Sequence, residues 1–164
     1  MVYSGVAEKG HYFVFSKISD CHRNPQHAGR TNTVLMGVYQ NSIDAKNRVI
    51  VPSKFRDELG SKAVLSRGLD NCLVIYPMQT WEEQQKQLSG LPKSDPQARA
   101  YLRYIYSNAV ECEIDKQGRT VIPINLRQAA GIEKELVTIG MMDRVEIWAK
   151  EVYESDGQGG MLDA

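Results

Sequence analysis

Apolar and polar positions alternate in two separated stretches of the chain. In the first, Val38, Gln40 and Ser42 interleave with Tyr39, Asn41 and Ile43; in the second, Val110, Cys112 and Ile114 interleave with Glu111 and Glu113. A period of two sends successive side chains to opposite faces of a β-strand, so each stretch predicts a half-buried strand. A turn and a β-branched strand follow in both places, Val49 to Val51 and Thr120 to Ile122. Pro52 and Pro123 then suit the first position of a short helix, and Gly60 and Gly131 suit its C-terminal stop. A second strand pair closes each half: Ala63 to Leu65 with Leu73 to Tyr76, and Leu136 to Ile139 with Arg144 to Trp148. Leu69-Asp70-Asn71 and Met142-Asp143 carry the turn chemistry between those strands.

A helical segment joins the halves. Thr80-Trp81-Glu82-Glu83 has capping-box spacing, and Asp95-Pro96 reads as an N-cap followed by a first-turn proline. Ala98, Leu102, Ile105 and Ala109 fall on one helical face, and Leu91-Pro92-Lys93-Ser94 separates the two helices. The predicted class is α+β, mainly β. Its parts are an irregular extension (1–33), a module (38–80), a helical connector (81–108), a second module (109–152) and a tail (155–164) that is flexible by composition.

The two modules are copies. Ile43-Asp44-Ala45-Lys46-Asn47-Arg48-Val49-Ile50-Val51-Pro52 is echoed by Ile114-Asp115-Lys116-Gln117-Gly118-Arg119-Thr120-Val121-Ile122-Pro123. Phe55-Arg56 and Leu59-Gly60 return as Leu126-Arg127 and Ala130-Gly131. The repeated element is Asp-x-x-Asn/Gly-Arg at a strand end. Its fourth position needs a left-handed backbone, free for Gly118 and next most accessible to Asn47. Asp44 and Asp115 can accept turn N–H groups, which would aim Arg48 and Arg119 outward from a rigid hairpin. A guanidinium offers a planar donor fork to phosphate or to guanine O6 and N7, and Lys46, Lys116, Lys54, Arg56 and Arg127 add charge nearby. The residues alone leave two readings open: a repeated binding tip, or a repeated surface ion pair that only staples its own hairpin.

Composition narrows the rest. The chain has 164 residues with 20 basic and 20 acidic, a formal net charge of zero. Nucleic-acid binding would therefore need its positive charge gathered on one face and several subunits acting together. Cys21, Cys72 and Cys112 have no CxxC spacing, which points to structural thiols in a reducing compartment. Cys21, His22 and His27 make no tetrahedral metal set with ordinary spacing, so neither metal nor cofactor is expected. No run is long enough to span a membrane. All three histidines precede residue 34, and no Gly-rich phosphate loop or Gly-x-Ser-x-Gly is present, which argues against an enzyme. Tyr101, Tyr104 and Tyr106 with Arg99 and Arg103 could stack on bases, but their helical spacing favours packing and subunit contact.

Over 34–154 the chain resembles the MraZ family, regulators built from two SpoVT-AbrB-like modules. The resemblance is carried by Met36-Gly37-Val38-Tyr39, the Ile43 to Arg48 motif, Val51-Pro52 with Phe55-Arg56, Tyr76-Pro77 with Trp81, and Asp115 to Arg119 with Ile122-Pro123. It implies a pseudo-twofold swapped-hairpin β-barrel, a ring-shaped homo-oligomer, and sequence-specific binding to short direct repeats in double-stranded promoter DNA. The promoter implied is that of the protein's own cell-division and cell-wall gene cluster, repressed from the cytoplasm and nucleoid. The family's DNA-contacting arginines fall on Arg48 and Arg119. Asn47 departs from the glycine usual there. Family members begin near Met36, and Val34 falls where their initiator stands, so residues 1–33 are expected to be upstream sequence read through from an early start. Peptides from Gly10 to Arg30 in the native protein would end that expectation. From a different class, an antitoxin-like module gripping a protein partner is the alternative, disfavoured by two fused modules without a separate partner-binding tail.

Overall fold

The computed structural model describes residues 34–157. The extension at 1–33, with Cys21, His22 and His27, and the tail from 158 lie outside the described residues. In order the elements are β1 (Leu35–Ser42), β2 (Arg48–Ile50), α1 (Ser53–Leu59), β3 (Lys62–Arg67), β4 (Leu73–Pro77), α2 (Met78–Ser89) and α3 (Pro96–Ser107). The second half adds β5 (Ala109–Glu113), β6 (Arg119–Val121), α4 (Ile124–Ala129), β7 (Glu135–Met142), β8 (Arg144–Ala149) and a last helical stretch, α5 (Lys150–Val152), continued to Gly157.

The halves exchange strands. β1 of the first half pairs antiparallel with β7 of the second, and β5 of the second pairs with β3 of the first. β4 and β8 join the two hairpins into one six-stranded sheet in the order β1-β7-β8-β4-β3-β5. β2 and β6 form a separate two-stranded ladder. The ladders do not close into a barrel: β1 and β5 stand at opposite edges.

One core serves both copies. Phe55 and Leu59 of α1, Leu126 of α4, and Val49, Val51 and Ile122 beside the ladder pack on Leu65, Leu73, Ile75, Leu136, Val145 and Ile147 of the sheet. The buried set is drawn from both halves, and the exchanged strands bring it together. On the opposite face α2 and α3 bury Trp81, Leu88 and Ile105 against Val64. A third cluster sets Trp148 on Cys72 and Val74.

Several local expectations shift. Pro52 and Pro123 are N-caps rather than first helical residues. The Thr80 capping box does not form, because α2 already starts at Met78, and Thr80 Oγ1 instead donates to the Asp143 carbonyl at 3.2 Å. Asp95 does cap α3, accepting the Gln97 N–H at 2.9 Å, with Pro96 opening the helix. β1 ends at Ser42, leaving Ile43 buried just beyond it. Val110 is exposed because β5 is an edge strand with only one neighbour.

Candidate nucleic-acid interface

The two Asp-to-Arg turns have the same geometry. Asp44 Oδ1 accepts the backbone N–H groups of Lys46 at 2.8 Å and Arg48 at 2.9 Å, while Oδ2 takes Arg48 Nε at 2.7 Å. Asp115 Oδ1 accepts Gln117 N–H and Arg119 N–H, both at 2.9 Å, and Oδ2 takes Arg119 Nε at 2.9 Å. These bonds, led by the backbone N–H of the arginine, hold both carboxyls below the ordinary carboxylate value. Asn47 and Gly118 supply the left-handed backbone, with φ of 59° and 80°.

The ion pair of the second reading forms in both turns, and it leaves the arginine tips available. The aspartate is the staple, and by gripping Nε alone it fixes the arginine stem without using its tip. Among the described residues the Nη groups of Arg48 and Arg119 have no hydrogen-bond partner, and the two side chains are 28% and 31% exposed. As a stabilising ion pair at such exposure each contributes little.

The ladder puts the two forks together. Arg48 stands opposite Val121, Val49 opposite Thr120, and Ile50 opposite Arg119. Directly paired residues project to the same side, so Arg48, Ile50, Arg119 and Val121 share one face, while Val49 and Thr120 turn into the core. On the diagonal of so short a ladder the arginine Cα atoms lie roughly 7–8 Å apart. Lys46 and Lys116 are exposed at the turn tips. All eight residues expected at the site, Asp44, Lys46, Asn47, Arg48, Asp115, Lys116, Gly118 and Arg119, are brought to this ladder and its two turns.

Cross-bonds tie each turn to the other half. The Val51 N–H donates to the Gly118 carbonyl and the Ile122 N–H to the Asn47 carbonyl, both at 2.8 Å. Arg127 reaches from α4 to give Nη1 to Asn47 Oδ1 at 2.6 Å, holding itself by Nε on the Ile132 carbonyl and Nη2 on the Glu133 carbonyl. At the equivalent place in the other half, Arg56 donates Nε to the Val51 carbonyl at 2.8 Å and lays its guanidinium where a Cβ on Gly118 would stand. Arg56 and Arg127, expected only to add charge, are thus turn clamps. The clamps also account for Asn47: one turn carries an amide because an arginine hydrogen-bonds it, the other carries no side chain because an arginine fills the space.

Ile50 and Val121 were not picked out from the sequence. Their parity could have shown them, since each lies two residues after an arginine assigned to the outer face. Cys72 and Cys112 are free and buried; burial pushes the Cys72 thiol up to about 12 and raises that of Cys112. Tyr101 and Tyr104 pack behind Trp81, and Tyr104 donates its hydroxyl to the Gly68 carbonyl at 2.7 Å, which favours packing over base stacking. Among the described residues no cluster could hold a metal ion, and no helix is long and apolar enough to cross a membrane.

Duplicated arginine turns on a shared ladder, backed by one core, define a two-module hairpin protein with one arginine from each module on the same face. The family model described as "MraZ protein, putative antitoxin-like" matches the chain twice, over residues 34–104 and 105–156. Relatives include the transcriptional regulator MraZ of Thermoanaerobacter sp. (strain X514), 55% identical over 121 residues, covering 74% of this chain and 85% of the relative. The proteins of the same name from Moorella thermoacetica (49% identical over 121 residues, 74% and 85%) and Halothermothrix orenii (47% over 131 residues, 80% and 88%) are also similar. The chain belongs to the MraZ family.

Proposed function

We propose that the protein is a transcriptional regulator that binds double-stranded promoter DNA through the β2–β6 ladder. The observation that carries the reading is the placement of Arg48 and Arg119: one from each module, on one exposed face, each fixed through Nε with its Nη fork open. Such forks suit guanine O6 and N7 in the major groove, and Lys46 and Lys116 beside them suit phosphates. The names of the relatives support regulation of transcription. Following the family resemblance, the target is a set of short direct repeats upstream of the protein's own cell-division gene cluster, and the effect is repression, from the cytoplasm and nucleoid. The role is binding, without catalysis. The mutual exchange of β1 and β5 is read as the swapped-hairpin arrangement.

Zero net charge limits what one subunit can do, so avidity from a homo-oligomeric ring supplies the remainder. Its contacts are assigned to the open β1 edge and the sheet face beside it. Met36 of β1 pairs with Met141 of the neighbouring strand β7 and Val38 with Ile139; Met36, Val38 and Met141 are exposed there. An unpaired apolar edge strand is a ready site for another chain.

A gel shift on the DNA upstream of the gene tests the reading. Arg48→Ala and Arg119→Ala are each expected to weaken binding while leaving the oligomer intact; a bidentate guanine contact is worth about 1–3 kcal/mol, or roughly 5- to 150-fold. Unchanged affinity in both variants removes the assignment, and a stoichiometric protein partner co-purifying in place of DNA would favour the antitoxin-like alternative.

A further inference from the structure

We infer that Ile50 and Val121 read thymine methyl groups in the major groove, between the two guanidinium forks. The inference rests on the DNA-binding reading above and deepens it to a base preference.

Ile50 and Val121 are 52% and 54% exposed, although both are β-branched residues inside a ladder whose middle positions are 2% and 1% exposed. None of the three apolar clusters of the described residues includes them. Each stands directly across the ladder from the other half's arginine, Val121 from Arg48 and Ile50 from Arg119. The face is therefore a block of four, with cations on one diagonal and branched aliphatics on the other. A surface that only tracked phosphates would gain nothing from the aliphatic diagonal, since phosphate oxygens offer it no contact. A second chain docking here would have to bury the two guanidiniums with it. In the major groove, whose width admits a two-stranded ribbon, one base alone presents an apolar protrusion: thymine, through its C5-methyl. A ribbon with forks for guanine and aliphatics for thymine reads two neighbouring base types with one rigid face.

The test is a fluorescence-anisotropy titration of the full chain on two duplexes. One carries the sequence upstream of the gene; the other has deoxyuridine for every thymine of the repeats, which deletes the methyls and keeps the pairing. Each contacted methyl is expected to be worth about fourfold in affinity, so the uridine duplex binds the wild type roughly 4- to 16-fold more weakly. The double variant Ile50→Ser/Val121→Ser is expected to lose a similar factor on the thymine duplex and to bind both duplexes alike. Equal wild-type affinity for the two duplexes overturns the inference and leaves the DNA-binding reading standing. Failure of the wild type to bind either duplex overturns both. A smaller assembly in the double variant, by light scattering, would assign the pair to a second copy and overturn the inference.

Discussion

Gly118→Ala would separate the two turns of this molecule, which look equivalent in outline. Gly118 has φ of 80°, and an added Cβ would overlap the guanidinium of Arg56. Alanine in a left-handed backbone costs about 1–2 kcal/mol, partly offset by about 0.4–1 kcal/mol from a stiffer unfolded chain. Arg56 is a long side chain and can swing away, but only by breaking its Nε bond to the Val51 carbonyl. A bond from a charged donor contributes about 1.5–3 kcal/mol. The net loss is then about 2–4 kcal/mol, which at this chain length lowers the melting temperature by roughly 5–15 °C. At the matching position Asn47→Gly loses one bond to Arg127 but relieves a φ of 59°. Its cost should stay near 1 kcal/mol. Both variants should be melted by circular dichroism at one fixed chain concentration, because apparent stability depends on concentration wherever copies of a chain associate. Gly118→Ala within about 1 kcal/mol of the parent, or Asn47→Gly the more damaging of the two, would refute the clamp argument.

Three further outcomes are expected. Asp44 and Asp115 have folded values below the ordinary 3.8, so the stability they supply is present above that pH and lost as pH falls through the folded values; Asp44→Asn with Asp115→Asn should flatten the acid limb of an unfolding-versus-pH curve, and an unaltered limb would contradict the turn bonding. Asp95→Ala should destabilise the protein by about 1 kcal/mol in urea, and Thr80→Ala by less, since only Asp95 caps a helix; the reverse order would contradict that assignment. The Cys72 thiol, raised to about 12 by burial, should resist an aromatic disulfide reagent at pH 8 until the chain is unfolded, and rapid native labelling would show the Cys72–Val74–Trp148 cluster to be open.

Much of the arginine-bearing ladder face was legible along the chain. The repeat marked the two turns, and Asn47 and Gly118 marked where the backbone turns left-handed, because few residues tolerate that conformation. Asp44 and Asp115 were assigned to backbone N–H groups from turn chemistry alone. Helix starts were less legible: Thr80 and Glu83 have the spacing of a capping box, yet α2, whose Trp81 packs against Val64, begins three residues earlier. A cap is worth about 1 kcal/mol, and burial of one large aromatic outweighs it.

The sequence by itself determined the elements, their duplication and the chemistry of each turn, since these depend on residues within a few positions of one another. Only the tertiary structure decided that β1 and β5 cross to the opposite half, that β2 meets β6 in a register placing Arg48, Ile50, Arg119 and Val121 on one side, and that Arg56 and Arg127 clamp each other's turns. These pairings join residues between 43 (Ser66 with Ala109) and 107 (Leu35 with Met142) positions apart. Its register is set by the side chains that must be buried together, a condition that no local window of the chain contains.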